Sequence, residues 1–111
     1  MPNGEPSNVR RLALSAKRAE DRVRQFAADS GNVILSNHAI QRMEQRGFDD
    51  TDVHNILRKG IVEDAPEEIR DGDWKCKVTM RMKGGRHAGV VTIILSRGKL
   101  LVMTVEWEDG R

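Results

Sequence analysis

The stretch WKCKVTMRM, residues 74–82, decides the fold class of this 111-residue chain. Its side chains fall into two alternating sets, with Cys76, Val78, Met80 and Met82 in one and Lys75, Lys77, Thr79 and Arg81 in the other. A period of two residues places such sets on opposite faces of a β-strand. The pattern therefore predicts a strand with one face on a core and a cationic face in water.

Turn residues and apolar runs on either side extend this strand into a sheet. Gly84-Gly85 is typical of a tight hairpin and precedes the nearly continuous apolar run Gly89–Leu95. Arg97-Gly98 marks a second turn before a last predicted strand, Leu100–Trp107. A short strand is also expected at residues 61–63, followed by an acidic loop. The second half therefore predicts a roughly four-stranded antiparallel β-meander.

The first half has a helical period. From Val9 to about Ala28, apolar residues recur at steps of three and four among arginines, so we expect a helix that ends at Gly31. Because this helix is only weakly hydrophobic, loose packing or packing against a partner is expected. A short apolar stretch, 33–35, predicts an edge strand after it.

Two shorter helices are predicted next. Ser36 is a favourable N-cap for a helix over residues 37–46, and Asp49 or Asp50 caps the following one. Each is expected to end at a glycine, Gly47 and Gly60 respectively. With these helices before the meander, the fold class is α+β. The predicted organisation is a disordered tail (1–8), a leading helix (9–30) and an α+β domain (31–108).

The composition excludes several classes of protein. The net charge is +2 and the chain has one cysteine, so an internal disulfide framework is excluded and a reducing cytoplasm is expected. No apolar run approaches the ~18 residues of a membrane span, and the N-terminus has no apolar signal-peptide core. We therefore expect a cytoplasmic protein with no membrane partner.

One candidate catalytic group is the row His38, Arg42 and Arg46, which share one side of the predicted helix at steps of four. An imidazole near a helix N-terminus is favoured in its neutral form and could act as a base, while two guanidiniums could hold a phosphate. Alternatively, His38 helps to cap the helix. The arginines then pair with acidic residues such as Glu44, Asp50 or Glu63.

A second candidate site is the polar face of the 74–82 strand. Lys75, Lys77 and Arg81 share that face with Thr79. Neighbouring strands are expected to add Thr92 and Thr104. Such a face can contact phosphates. Alternatively, it is a solvated surface whose cations balance the acidic loop.

No metal site or cofactor is expected. The three histidines, His38, His54 and His87, lack metal-ligand spacing, and Cys76 has no partner in a C-x-x-C motif.

The run Ser36-x-His38-Ala39-x-x-Arg42-Met43-x-x-Arg46-Gly47 and the ending LLVMTVEW, residues 100–107, resemble the bacterial family called domain of unknown function 4258. That family is similar to the RelE-like and BrnT-like toxin nucleases of the barnase, EndoU, colicin and RelE superfamily. The resemblance implies helices before a four-stranded antiparallel sheet, and it makes His38, Arg42 and Arg46 motif positions.

The resemblance and the cationic strand together predict a toxin-like, RNA-directed protein. As a metal-independent endoribonuclease it would direct a 2′-hydroxyl onto the adjacent phosphate, with His38 as general acid or base. Arg42, Arg46, Lys77 and Arg81 would stabilise the charged transition state. RNA or the ribosome, and an antitoxin protein, are the implied partners. The alternative is a non-catalytic RNA-binding or protein-interaction module.

Overall fold

A computed structural model describes residues 13–109. Three helices and five strands follow one another in this order: α1 (Ala16–Ala27), β1 (Val33–Leu35), α2 (Asn37–Arg46), α3 (Asp50–Lys59), β2 (Glu67–Arg70), β3 (Asp73–Arg81), β4 (His87–Ile94) and β5 (Leu100–Trp107). The α+β class is confirmed, with the helices in the N-terminal half. The predicted disordered tail, residues 1–8, lies outside the described residues.

The sheet is five-stranded and mixed, with the order β1-β5-β4-β3-β2. Three neighbouring pairs are antiparallel, but β1 runs parallel to β5, with Ile34 opposite Leu101. The prediction of a purely antiparallel, four-stranded meander is therefore wrong. β1 follows α1 in the chain and pairs with the outer edge of the last strand, an arrangement that no local pattern encodes.

The predicted strand at residues 61–63 is also wrong. Ile61 makes one isolated bridge to Thr79, with both backbone hydrogen bonds at 2.9 Å. The strand instead lies at Glu67–Arg70, inside the predicted acidic loop, and its four side chains are all exposed. An edge strand with no buried face has no apolar alternation, so its sequence resembles that of a loop.

The helix boundaries follow from capping. Ser36 Oγ accepts the N–H of Ala39 at 3.0 Å, and Gly47 ends α2 with a φ of 78°, in the left-handed region that favours glycine. Asp49 caps α3 in a reciprocal capping box with Asp52. These boundaries were predicted correctly.

α1 begins later than predicted, and its last residue lies within one residue of the predicted Ala28. Ser15 caps it, because its hydroxyl accepts the N–H of Arg18 at 3.1 Å. The predicted start at Val9 lies outside the described residues, but residues 13–15 are not helical. The helix ends at Ala27, and Gly31 lies in a separate 3₁₀ turn.

α1 is an integral part of the core. Three of its side chains are essentially inaccessible to water: Ala19, Val23 and Ala27. Arg24 Nη2 donates to the carbonyl of Gly60 at 2.9 Å, and Arg58 Nε donates to the carbonyl of Ala27 at 2.8 Å. Each arginine thus satisfies a carbonyl at the C-terminal end of the other helix. The expectation of loose packing is wrong.

The core lies between the helices and one face of the sheet. Its strand residues include Val78, Val90 and Val105, which are cross-strand neighbours and almost fully buried. Burying a valine side chain completely contributes roughly 1.5–3 kcal/mol, so this row is a major part of the stability. None of the helices within residues 13–109 has the length and apolar character needed to cross a membrane.

Candidate functional site

The sheet face opposite this core carries the cationic residues of β3, and we call it the open face. Its side chains on the three central strands include Lys75, Lys77, Thr79, Arg81, His87, Thr104 and Glu106. Lys75, Arg81 and His87 are exposed. Cross-strand register places Lys77, Val91 and Thr104 in one row, and Arg81 directly opposite His87 in another. Lys75, Lys77, Arg81 and Thr104 therefore share one surface.

Thr92 does not belong to this surface. It pairs with Cys76, on the core side of β3, and it is fully buried. Its hydroxyl donates to the carbonyl of Leu101 at 3.0 Å. The prediction that Thr92 adds to the cationic face is wrong, because the apolar run of β4 does not show which of its residues face the core.

Lys77 is held by two carboxylates, one on β5 and one just after it. Its Nζ lies 2.8 Å from Glu108 Oε1 and 3.2 Å from Glu106 Oε2. β4 lies between the two strands, and the contact crosses it above Gly89. A Cβ on Gly89 would lie 2.5 Å from Glu108 Oε2 and 3.1 Å from Lys77 Cδ. The missing side chain of Gly89 therefore makes room for the ion pairs.

These carboxylates raise the pKa of Lys77. The largest cause is the hydrogen bond to Glu108, and partial burial opposes it to a smaller extent. Glu106 adds a hydrogen bond and an electrostatic attraction in the same direction. Lys77 is therefore a fixed, fully charged cation, but part of its charge is already compensated.

The other two open-face cations are less constrained. Arg81 Nη1 donates to the carbonyl of Gly85 at 3.3 Å, within its own hairpin. Lys75 is exposed and lies opposite Glu67 on β2. An incoming phosphate can therefore reach Lys75 and Arg81 without breaking the Lys77 ion pairs.

His38, Arg42 and Arg46 lie along α2 as predicted, but they differ in their surroundings. His38 is exposed and Arg42 is half-buried, with its Nη1 bonded to Gln45 Oε1 at 2.7 Å. The opposite flank of α2, at Ile40 and Glu44, lines a cleft shared with the start of α3. His38 and Arg42 therefore face away from α3.

Arg46 is tied to the sheet. Its Nη1 donates to the carbonyl of Val105 on β5 at 2.7 Å. Ser36 at the other end of α2 also contacts this edge, since its N–H donates to Val102 and its hydroxyl to Met103. These bonds satisfy backbone carbonyls of β5 and fix α2 to the sheet. Arg46 therefore has a structural role that the sequence did not show.

An aromatic contact holds the same end of α2. Trp107 Nε1 donates to the carbonyl of Arg46 at 2.9 Å, and the Trp107 ring stacks on Phe48 with centroids 4.4 Å apart. The guanidinium carbon of Arg86 lies 4.0 Å from the centroid of the Trp107 ring. Two of the few aromatic residues are therefore used in packing.

Sequence reasoning missed three polar residues of the open face: His87, Glu106 and Glu108. The N–H of Glu108 donates to the carbonyl of His87 at 2.9 Å, which makes the two residues cross-strand neighbours. Counting across the Gly84-Gly85 hairpin from Arg81 would have placed His87 opposite it. Glu106 on β5 and Glu108 just after it lie on this face because side chains two residues apart share a face, once the register of β5 with β4 is known.

Within residues 13–109, no group of three or more His, Cys, Asp or Glu side chains is arranged to hold a metal ion. Cys76 is a buried thiol, and burial raises its pKa to about 12. At neutral pH it is protonated and behaves as a small apolar side chain.

Comparison with known protein families gives a match. A family model described as domain of unknown function (DUF4258) matches residues 35–107, about two thirds of the chain. No curated protein and no solved structure matches it significantly. The match includes α2, α3 and all strands except most of β1, and it leaves α1 outside. The chain belongs to the DUF4258 family.

Proposed function

We propose that this protein is an RNA-directed protein of toxin type that binds RNA through the open face. The observation that carries the proposal is the line of Lys75, Lys77 and Arg81 along β3 on a sheet face away from the helices. Cations arranged in this way neutralise consecutive phosphates without reading a base sequence. The resemblance to RelE-like and BrnT-like toxin nucleases supports the same assignment, with free or ribosomal RNA as the target and an antitoxin as the regulatory partner.

Hydroxyl groups complete the proposed binding surface. Thr104 lies in the Lys77 row, one strand beyond Val91, and Thr79 lies between Lys77 and Arg81 on β3. Threonine hydroxyls donate to phosphate and sugar oxygens in nucleic-acid complexes. RNA would therefore lie across β3, β4 and β5.

The proposed activity is metal-independent cleavage, in which the 2′-hydroxyl attacks the adjacent phosphate. On α2, His38 is the candidate for proton transfer and Arg42 for phosphate contact, since both side chains lie on the flank away from α3. Arg46 would contribute mainly by fixing α2 against β5, through its bond to Val105.

A protein-interaction module is the second candidate function, and one feature of the same face favours it. Ile34, Leu101 and Ile93 form an apolar row across β1, β5 and β4. Ile34 is 37% exposed, and Ile93 is buried although it lies outside the main core cluster. An apolar row beside a short edge strand suits an extended peptide.

The test is RNA binding measured by fluorescence anisotropy over a range of salt concentrations. Lys75→Ala and Arg81→Ala should each weaken binding and reduce the slope of log affinity against log salt by somewhat less than one unit. Arg18→Ala is the matched control, since it removes an exposed cation from α1 in the helical layer. Equal effects of all three substitutions, or no binding at low salt, would reject the open face and favour the protein-interaction candidate.

A further inference from the structure

Two titratable groups on the open face, His87 and Glu108, have no role in the proposed binding, and they lie beside the cation Arg81. Arg81 on β3 lies opposite His87 on β4, and the N–H of Glu108, the residue after β5, donates to the carbonyl of His87. Directly opposed residues in a sheet have Cβ atoms about 4.5–5.5 Å apart and point to the same face. The side chains of Arg81, His87 and Glu108 therefore start from neighbouring positions on one face of the sheet.

Gly89 extends this cluster to Lys77. Glu108 bonds Lys77 through Oε1, while its Oε2 lies above the bare backbone of Gly89. Gly89 is two residues after His87 on β4 and lies on the same face, because residues i and i+2 of a strand share a face. The surface over Gly89 is thus bordered by Lys77, Glu108 and His87. Arg81 lies next to His87.

These residue types match the needs of phosphodiester cleavage by an internal hydroxyl. The reaction needs one group to accept a proton, one to donate a proton, and cations to stabilise the added charge on the phosphate. His87 is exposed, and no hydrogen bond to its ring occurs within the described residues. An imidazolium N–H is a suitable proton donor for the departing oxygen.

We propose that His87 and Glu108, in place of the α2 candidate His38, are the proton-transfer residues for RNA cleavage on the open face, an inference that rests on the proposed RNA binding and cleavage. The 2′-hydroxyl oxygen bonds to phosphorus and its proton passes to the Glu108 carboxylate. The bond from phosphorus to the 5′-oxygen breaks, and the departing oxygen takes the proton of His87. The products are a 2′,3′-cyclic phosphate and a 5′-hydroxyl, and neither a metal nor another co-reactant is consumed. Lys77 and Arg81 stabilise the charge on the phosphoryl oxygens.

This assignment places proton transfer and phosphate binding on one surface. His38 lies on α2, beyond the edge of β5, whereas His87 is adjacent to Arg81. RNA bound along the cations of β3 would therefore meet His87 without leaving the open face.

The experiment uses two probes, a short single-stranded RNA of mixed sequence and its fully 2′-O-methylated counterpart, which lacks the attacking hydroxyl. The wild-type protein should bind both and cleave only the unmodified RNA. His87→Gln should bind the methylated RNA as the wild type does, but cleave the unmodified RNA on the order of 10²–10⁴-fold more slowly. Arg18→Ala should cleave at the wild-type rate.

Each other result has a definite meaning. Cleavage that survives His87→Gln overturns the inference, and loss in His38→Gln alone would assign proton transfer to α2. Binding of the methylated RNA without cleavage of the unmodified RNA also overturns the inference, but it leaves the proposed RNA binding intact. Binding of neither probe by the wild-type protein rejects the proposed function and this inference with it.

Discussion

Lys77 Nζ and Glu108 Oε1 are 2.8 Å apart although β4 lies between β3, which carries Lys77, and β5, which Glu108 follows directly. Two long side chains reach across the middle strand because Gly89 offers no side chain at that point. The same contact compensates part of the positive charge of the open face. Its strength therefore affects both the stability of this surface and its affinity for anions.

Gly89→Ala should break this contact. The added Cβ would overlap the carboxylate of Glu108, which can rotate away because it is the end of a flexible side chain. The pKa of Lys77 should then fall towards its ordinary value of 10.5, since the first cause of its elevation is lost. Stability should change by no more than about 1 kcal/mol, as for other partly exposed ion pairs. The measurement is a titration of the Lys77 Cε resonance, and an unchanged midpoint would contradict this role of Gly89.

The sign of the pH dependence follows from the raised pKa of Lys77. The stabilisation from its ion pairs is fully present below pH 10.5 and is lost only as the pH rises through the folded-state pKa. Near neutral pH, Lys77 therefore keeps its charge.

Glu106→Gln should increase the affinity for RNA. The substitution keeps the shape of the side chain but removes a negative charge 3.2 Å from Lys77 Nζ. Removing one such pair should raise the affinity for RNA by roughly two- to five-fold, because an exposed ion pair is worth ~0.2–1 kcal/mol. Binding of 2′-O-methylated RNA at low salt measures the change. Glu44→Gln on α2 is the matched control, and an equal gain in both variants would show only a change in net charge.

Arg46→Ala should destabilise the fold, whereas Arg42→Ala should not. Arg46 satisfies the carbonyl of Val105 from a partly buried position, and removing a charged donor of this kind costs about 1–3 kcal/mol. Arg42 donates to Gln45 at the protein surface. Urea unfolding of the two variants compares them directly. Equal stabilities would mean that Arg46 does not hold α2 to the sheet.

Cys76 should resist modification in the native state. Burial raises its pKa to about 12, so the reactive thiolate is scarce at pH 8. The folded-state pKa lies above the unfolded-state value of about 9.0, so the unfolded chain loses its thiol proton first. The protein therefore loses stability as the pH rises from 9 to 12. Reaction with a disulfide reagent at pH 8 should follow the urea unfolding transition. Rapid labelling without urea would show that β3 opens locally.

The strands and helices with a strong local signal were predictable. The alternation of β3, the hairpin glycines and the caps Ser36 and Asp49 give correct element types. Two strands were not predictable in full. β2 buries no side chain, and the parallel partner of β1 lies more than sixty residues away. Periodicity reports a buried face, so it misses an exposed strand and says nothing about a distant partner.

The candidate site was also predictable where a local pattern determines it, and not where it depends on the assembled sheet. The faces of Lys75, Lys77 and Arg81 follow from alternation alone, and the structure places them together. The ion pairs of Lys77 depend on the register of three strands and on Gly89, which is a property of the assembled sheet. Arg46 was predicted for its motif position, but its contact with Val105 depends on where α2 docks.

The central claim is that RNA binds the open face, and amide chemical-shift mapping tests it most directly. Titration of the isotopically labelled protein with 2′-O-methylated RNA should shift the amides of β3, β4 and β5 around Lys75, Lys77, Arg81 and His87. The amides of α1 and α3 should not shift. Shifts confined to the helices, or none at RNA concentrations that saturate the anisotropy signal, would contradict the account.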